Sequence, residues 1–260
     1  MVKTGLVSIT FRSLSVEKII QLVSQAGLDA IEWGGDIHVP HGDVVRAQQV
    51  AKMTAEAELE VAAYGSYYRV GCENKGVSSF NDVVQTALAL KAPLIRIWAG
   101  NKGSDKASSE WREKVVHESR QLITFAEKKG IKLAYEFHEN TLTDTGKSAL
   151  RLLREVNHHN IYTYWQPPHN LSVNERAAGL KKILPWLTNI HVFHWTDSFK
   201  RKRHPLEKGK EEWQQYLKIA VDCSREHYAL LEFVEGDAPE QFLQDARTLK
   251  KIIEGIIYNN

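Results

Sequence analysis

The feature that most constrains the fold is a regular alternation, along the whole chain, between short apolar runs and longer segments with helical periodicity. Short runs rich in Val, Ile, Leu and aromatic residues are typical of strands that are buried on both faces of a parallel sheet. The segments between them repeat apolar residues every three or four positions, as amphipathic helices do. The alternation predicts eight strands, at residues 6–9, 28–32, 61–64, 94–98, 133–140, 161–165, 190–194 and 228–233.

Local signals place the ends of the intervening helices. Ser15 can cap the first helix, and Gly27 is suited to end it. A second helix is predicted over roughly 44–59, and a long fourth helix ends at Gly130. Pro239 suits the first turn of the last helix. A backbone N–H at that position has no partner within the helix, so proline, which lacks it, is tolerated there. Each predicted strand is therefore followed by a helix.

Eight strand–helix units in 260 residues favour a closed barrel. An open doubly wound sheet would also alternate, but its Gly-rich phosphate fingerprint is missing after the first strand, where residues 10–13 read Thr-Phe-Arg-Ser. No linker or change of composition divides the chain. We therefore predict an α/β fold with a single (β/α)8 TIM barrel over residues 1–260, and an active site at the C-terminal ends of its strands.

Composition narrows the function classes. Hydrophobic residues make up 43% and charged residues 25%, which is typical of a globular protein. A net charge of +2 argues against a nucleic-acid partner, and no apolar run approaches the roughly 18 residues that a membrane span needs. Cys72 and Cys223 form no disulfide framework, and the N-terminus lacks the features of a signal peptide. A cytoplasmic location is the expectation.

Four polar residues stand at the ends of four consecutive predicted strands: Glu136, Gln166, His194 and Glu232. In a barrel these ends meet at one mouth, so the four side chains are expected to converge. Carboxylates, an imidazole and an amide oxygen suit a divalent cation. Each residue alone has a simpler interpretation, because a strand-end glutamate often forms a structural ion pair and a lone histidine often packs in a core. Their recurrence at four successive strands favours a shared metal site.

Several longer motifs give the chain a resemblance to a known family, the xylose isomerase-like barrels. This sugar phosphate isomerase/epimerase group includes ketohexose 3-epimerases and endonuclease IV-type enzymes. The resemblance covers nearly the whole chain, and is specific for the superfamily but not for a substrate. It rests on Ile-Glu-Trp-Gly-Gly-Asp-Ile-His-Val-Pro at 31–40, Ile-Arg-Ile-Trp-Ala-Gly at 95–100, Tyr-Glu-Phe-His-Glu-Asn-Thr-Leu at 135–142, His-Val-Phe-His-Trp at 191–195 and Leu-Glu-Phe at 231–233.

The resemblance implies particular roles. In such epimerases a Glu, an Asp, a His and a second Glu hold one divalent metal, and the two glutamates move the substrate proton. Carried over by position, the catalytic glutamates are Glu136 and Glu232 and the metal-binding histidine is His194. The aspartate position falls on Gln166, which is neutral, so weaker metal binding is expected. His169 lies where the family often has a substrate-binding or additional metal-binding histidine.

Further residues are predicted on the substrate side, each with a structural alternative. Glu32 could contact a sugar hydroxyl or brace a neighbouring strand through a salt bridge. Arg96 could bind an anion or pair with a glutamate, and Trp98 could line the site or pack in the core. The basic segment 200–204 follows the seventh strand and could capture a phosphate or carboxylate, or could be a solvated loop. The predicted substrate-binding residues are Glu32, His38, Arg96, Trp98, His138, His169 and Arg203.

These expectations define a metal-dependent isomerase or epimerase that acts on a sugar, sugar acid or polyol by proton transfer through an enediolate. One Mn, Mg, Co or Zn ion is the expected cofactor, held by Glu136, Gln166, His194 and Glu232. The alternatives are a dehydratase or lyase on the same scaffold, and a carbohydrate-binding barrel without catalysis. DNA repair is disfavoured, because residues 65–67 and 99–101 contain no histidine. The expected partner is a small sugar or polyol, and a homo-oligomer remains open.

Overall fold

A closed barrel of eight parallel strands forms the centre of the molecule. The computed structural model describes residues 2–74, 79–169, 171–196, 202–221, 223 and 225–257. Each barrel strand pairs with its neighbours in chain order, and the last strand closes against the first. The strands are β1 (Val2–Val7), β2 (Ala30–Gly34), β3 (Glu60–Arg69), β4 (Leu94–Trp98), β5 (Lys132–Tyr135), β6 (Ile161–Trp165), β7 (Leu187–Val192), β8 (His194–Thr196), β9 (Lys202–His204) and β10 (His227–Leu231), of which β8 and β9 lie outside the barrel.

Helices surround the barrel and begin where the capping residues predict. The Ser15 hydroxyl accepts the N–H of Lys18, and Gly27 ends the first helix in the left-handed conformation. No described helix is both long and apolar enough to span a bilayer. The helices are α1 (Val16–Ala26), α2 (Val44–Glu56), α3 (Phe80–Ala89), α4 (Ser109–Glu127), α5 (Gly146–Val156), α6 (Val173–Ile183), α7 (Lys210–Val221) and α8 (Pro239–Ile257).

Most predicted strands are present, but several have different ends. The predictions at 94–98 and 161–165 coincide with β4 and β6. The first strand begins at Val2 and ends at Val7, where a 3-10 turn over Ser8–Phe11 follows, so the prediction at 6–9 began and ended too late. The third strand extends to Arg69, and the fifth ends at Tyr135. Glu136 follows β5 directly, with its N–H bonded to the carbonyl of Ile97.

The largest departure follows the seventh strand. β7 ends at Val192, so the prediction at 190–194 was wrong about its end. His194–Thr196 instead forms an antiparallel hairpin with Lys202–His204. Residues 200 and 201 of the basic segment lie outside the described part of the chain, whereas 202–204 form a strand. The hairpin carries Trp195 and Arg203 to the mouth of the barrel.

Candidate active site

Arg96 crosses the interior of the barrel mouth and contacts two glutamates. It lies on β4, is almost completely buried, and donates from Nε to Oε1 of Glu32 over 2.6 Å. Its Nη1 donates to Oε2 of Glu136. A buried guanidinium must be paired, because removing an isolated charge from water is costly. Arg96 is therefore the internal counter-ion of two carboxylates that come from strands on either side of it.

This pairing changes the ionisation of its members. Burial opposes the charged form of Glu32, but the positive charge of Arg96 and the nearby imidazole of His191 outweigh burial and lower the pKa of Glu32 to about 2. Burial also disfavours charged Arg96, yet Glu32 raises the pKa of Arg96 overall. Both groups are consequently charged at neutral pH. The ion pair is a permanent feature of the barrel interior.

A glycine provides the space for this ion pair. A Cβ at Gly65 would lie 2.7 Å from Nη2 of Arg96 and 3.0 Å from Oε1 of Glu32. Both distances are closer than side-chain carbons normally approach other atoms. A larger residue on this part of β3 would therefore displace the guanidinium.

Glu136 is held by two donors on one oxygen. Trp98 donates its indole N–H to the same Oε2 that accepts from Arg96. The Trp98 ring is itself fixed, because His138 stacks on it at 4.4 Å between ring centroids and the guanidinium of Arg69 lies 3.8 Å from its centroid. The other oxygen, Oε1, faces His191. One side of the carboxylate is thus anchored and the other is presented to the site.

His191 joins the two glutamates at the ends of β5 and β10. Its Nδ1 lies 3.7 Å from Oε1 of Glu136, 3.5 Å from Oε2 of Glu232 and 3.2 Å from Oε1 of Gln166. Its Nε2 lies 3.6 Å from Oε2 of Glu32. The ring is completely buried. One imidazole nitrogen therefore faces three oxygens, while the other faces a carboxylate.

Glu232 differs electrostatically from Glu32. It is buried, and burial raises its pKa, although the charges of His191 and Arg96 act in the opposite direction. Its backbone N–H donates to the carbonyl of Val192, which continues the pairing of β10 with β7. A carboxyl group with a raised pKa can hold or release a proton nearer to neutrality than an ordinary glutamate.

The donor set suits a divalent cation. Glu136, His191 and Glu232 each offer one ligand atom, and these atoms lie within 4.8 Å of one another. Glu32 stands behind His191 as a carboxylate partner for the second ring nitrogen, which is the usual arrangement around a metal-ligating histidine. Gln166 adds an amide oxygen at the same nitrogen. These residues fit Mn, Mg, Co or Zn, although Gln166 contributes no negative charge.

A cavity of about 760 Å³ opens above this cluster at the C-terminal ends of the strands. Its walls are aromatic: the His169 and Trp195 rings stack on one side, and Trp98 and His138 on the other. The predicted site residues that line it are Arg96, Trp98, Glu136, His138, Gln166, His169, Arg203 and Glu232. Most of the site residues predicted from the sequence therefore line this cavity. Their roles in binding or catalysis stay predictions.

Three predicted site residues lie elsewhere. Glu32 is fully buried beneath the cavity in its pair with Arg96, which favours the bracing alternative. His38 is buried against Trp33, and its Nδ1 is hydrogen-bonded to the Ser8 hydroxyl, so it does not line the cavity. His194 lies on the hairpin, against Gly209, and is not part of the cluster formed by Glu136 and Glu232.

His191, the histidine that does join the cluster, was not among the predicted site residues. Because β7 ends at Val192, His191 is the last inward-pointing polar residue of that strand, and His194 begins the next element. The motif His-Val-Phe-His contains both histidines, and placing the strand end two residues too late selected the wrong one. Three further residues that line the cavity were not predicted: Tyr67 near the end of β3, Trp195 on β8 and Arg12 after the 3-10 turn.

Comparisons with known proteins agree with this architecture. A family model described as "Xylose isomerase-like TIM barrel" matches residues 20–252. The chain is 27% identical over 276 residues to a 3-dehydroshikimate dehydratase of Bacillus anthracis, and the match covers 95% of this chain and 96% of that protein. The chain belongs to the xylose isomerase-like TIM barrel family.

Two solved structures have a similar fold. The crystal structure of a probable 3-DHS dehydratase from Bacillus anthracis, involved in petrobactin synthesis, superimposes with a TM-score of 0.82 at 21% identity, covering 95% of this chain and 98% of that chain. An L-ribulose 3-epimerase gives a TM-score of 0.74 at 13% identity, covering 100% and 97%. Proteins with different reactions share this barrel, so the fold alone does not select the reaction.

The cluster predicts which histidine a metal would need. Wild-type protein is expected to take up one divalent ion when titrated with Mn, Mg, Co or Zn and examined by elemental analysis. His191→Asn should weaken that binding by roughly tenfold or more, since a change to a supporting residue alone typically costs about 10–100-fold. His194→Asn is the matched control and should bind as the wild type does. Equal loss in both variants, or in neither, would contradict the assignment of His191.

Proposed function

We propose that the protein is a dehydratase that removes water from a cyclic hydroxy-keto acid of the 3-dehydroshikimate type. The observation that carries the proposal is the placement of two buried carboxylates, Glu136 and Glu232, near the same nitrogen of His191 at the base of one cavity. The similarity to a 3-dehydroshikimate dehydratase over nearly the full length of both chains supports this substrate class.

The two carboxylates have complementary properties for proton transfer. Oε2 of Glu136 is fixed by Arg96 and Trp98, which leaves Oε1 free to face the substrate as a base. Glu232 is a second buried carboxylate near the same nitrogen of His191, and it is placed to return a proton. A divalent cation held by Glu136, Gln166, His191 and Glu232 would supply positive charge near the carbonyl oxygen.

The reaction would proceed in two balanced steps. In the first, a glutamate takes the proton from the carbon next to the ring carbonyl, the C–H electron pair forms a C=C bond, and the carbonyl π pair moves onto oxygen. In the second, the carbonyl re-forms, the C=C pair expels the hydroxyl on the neighbouring carbon, and the hydroxyl takes a proton and leaves as water. Tautomerisation of the resulting ring gives an aromatic dihydroxy acid.

The cavity also suits the shape and charge of such a substrate. The flat aromatic walls formed by Trp98 with His138 and by His169 with Trp195 can stack against a planar ring. Two arginines stand at the rim, where Arg12 pairs with Asp36 and Arg203 pairs with Asp237. Both are partly exposed, so a substrate carboxylate can reach them.

An isomerase or epimerase acting on a sugar is the second candidate. It begins with the same proton abstraction and uses the same pair of glutamates, of which one takes the proton and the other returns it. The observation that favours it is that Glu136 and Glu232, which directly follow β5 and β10, line the same cavity. The two reactions differ in what happens to the neighbouring hydroxyl, which leaves as water in the dehydratase reaction and stays on the substrate in the isomerase or epimerase reaction.

Turnover of 3-dehydroshikimate tests the proposal. Wild-type protein supplied with a divalent metal should form the aromatic product, which is followed by its ultraviolet absorbance. Glu136→Gln and Glu232→Gln should each lower kcat by about 10²–10⁴-fold, because each removes a proton-transfer group. Circular dichroism should report a folded barrel in both variants.

A panel of ketoses, aldoses, inositols and keto-acids in deuterated water serves as the comparison. Deuterium uptake into a sugar without loss of water would favour the epimerase. If the wild type neither dehydrates 3-dehydroshikimate nor exchanges a proton of any compound, the proton-transfer function is wrong and a binding role takes precedence.

Arg203 is predicted to recognise the substrate carboxylate. Arg203→Met should raise KM for 3-dehydroshikimate about tenfold, since a hydrogen bond to a charged group is worth about 1.5–3 kcal/mol. The uncharged methyl ester should be affected much less. Arg154→Met, which changes an exposed arginine on α5, is the control and should leave both compounds unchanged. An equal effect of Arg203→Met on acid and ester would show that the hairpin only covers the site.

A further inference from the structure

Tyr67 lies in the wall of the cavity, and its hydroxyl is buried there without a hydrogen bond to any described residue. It lies near the end of β3, and it lines the cavity. Its hydroxyl oxygen is buried, yet it has no hydrogen-bond partner among the described residues. Buried hydroxyls in proteins are nearly always bonded, so an unpaired one at a cavity wall points to a partner that enters the cavity.

The backbone at Tyr67 supports the same conclusion. Its φ is 56°, in the left-handed region that bulky residues rarely adopt. Phe233, which follows Glu232 and lines the same cavity, has a φ of 51°. Backbone strain of this kind persists where the surrounding structure holds it, and it clusters at active sites. The conformation therefore directs the Tyr67 ring for a reason other than local stability.

Tyr64 and Tyr164, two other tyrosines of the barrel strands, have partners for their hydroxyls. Tyr64, three residues earlier on the same strand, donates to the carbonyl of Val39 over 2.8 Å. Tyr164 accepts the side-chain N–H of Asn189 over 2.9 Å. Tyr216 also lacks a partner, but it does not line the cavity. Tyr67 alone among these four combines an unpaired hydroxyl with a place in the cavity wall.

A positive charge lies against the Tyr67 ring. The guanidinium carbon of Arg96 lies 4.6 Å from the centre of the Tyr67 ring. The third nitrogen of Arg96, Nη2, is also buried without a partner among the described residues. Burial raises the pKa of Tyr67 to about 12, so the phenol is protonated and can donate at neutral pH. The Tyr67 hydroxyl and Nη2 of Arg96 are thus two buried donors, on neighbouring side chains, without a hydrogen bond among the described residues.

We propose that the Tyr67 hydroxyl is a catalytic donor to the substrate oxygen that becomes negatively charged when the neighbouring carbon loses its proton. This proposal rests on the proton-transfer function above. As the C–H bond breaks, its electron pair forms the C=C bond, the carbonyl π pair moves onto oxygen and the proton passes to a glutamate. Tyr67 keeps its own proton throughout and shares it in a hydrogen bond that strengthens as the oxygen gains charge.

Tyr67→Phe is the test, because it keeps the ring and removes only the hydroxyl. With 3-dehydroshikimate and metal, kcat should fall by about 10²–10³-fold, as on loss of one oxyanion donor, while KM changes little. The melting temperature of the unliganded variant should be equal to or above that of the wild type, because no hydrogen bond of the folded protein is lost. Tyr64→Phe is the matched control and should lower the melting temperature.

A second measurement is independent of turnover. Calorimetric titration with 3,4-dihydroxybenzoate, whose adjacent oxygens resemble an enediol, should show about tenfold weaker binding to Tyr67→Phe than to the wild type. Benzoate, which lacks those oxygens, should bind both proteins equally. If the wild type binds 3,4-dihydroxybenzoate more tightly than Tyr67→Phe does but does not turn over 3-dehydroshikimate, the Tyr67 contact is supported and the dehydratase function is wrong.

Three results would overturn the role of Tyr67. The first is a kcat for Tyr67→Phe equal to that of an active wild type, which would support the dehydratase function and reject the donor role of Tyr67. The second is a melting temperature lowered as much as in Tyr64→Phe, which would show that the hydroxyl is bonded within the folded protein. The third is 3,4-dihydroxybenzoate binding that is equal in wild type and variant, or that is missing from both.

Discussion

The buried contact of Arg96 with Glu32 and Glu136 is the interaction on which the rest of the site depends. It joins β2, β4 and the end of β5 inside the barrel mouth. Charges in such a place are retained only when they are paired, and breaking one member leaves the others without compensation. The pair therefore fixes the position of Glu136 more firmly than a flexible strand end could. Gly65 on β3 is part of the same arrangement because it leaves the guanidinium its space.

Two functional properties follow from this contact. First, one oxygen of Glu32 accepts from Arg96 and the other faces His191. The ion pair therefore also orients the imidazole that belongs to the cluster with Glu136 and Glu232. Second, Arg96 lies against Tyr67, with one nitrogen still unpaired at the cavity. One arginine thus connects the carboxylates at the base of the cavity, the histidine and the proposed donor on the wall.

The sequence predicted the barrel because its signals are local and repeat eight times. Periodicity, helix caps and the missing phosphate fingerprint were sufficient, and the closed eight-stranded sheet confirms that prediction. The ends of strands were less predictable, since apolar residues continue past the last ladder hydrogen bond. Strand seven shows the consequence, because an error of two residues selected His194 in place of His191.

The contacts of the site were predictable only in part. Glu136 and Glu232 could be found because carboxylates are conspicuous after apolar strands. The pairing of Arg96 with Glu32 remained one alternative, as it depends on which way two side chains point inside the barrel. Tyr67 gave no signal at all, because its importance arises from an unpaired hydroxyl and a positive φ. Neither property can be read from residue types.

Stability measurements on Arg96→Met, Glu32→Gln and the double variant test the central claim most directly. Arg96→Met should lower the free energy of unfolding by about 3–5 kcal/mol, because it leaves buried carboxylates without their counter-ion. Adding Glu32→Gln should restore part of that loss, giving a coupling of about 0.5–3 kcal/mol between the two positions. Two results would contradict the claim that this contact organises the site. One is a loss below about 1 kcal/mol in Arg96→Met, which is the size found for exposed ion pairs. The other is strictly additive effects of the two substitutions.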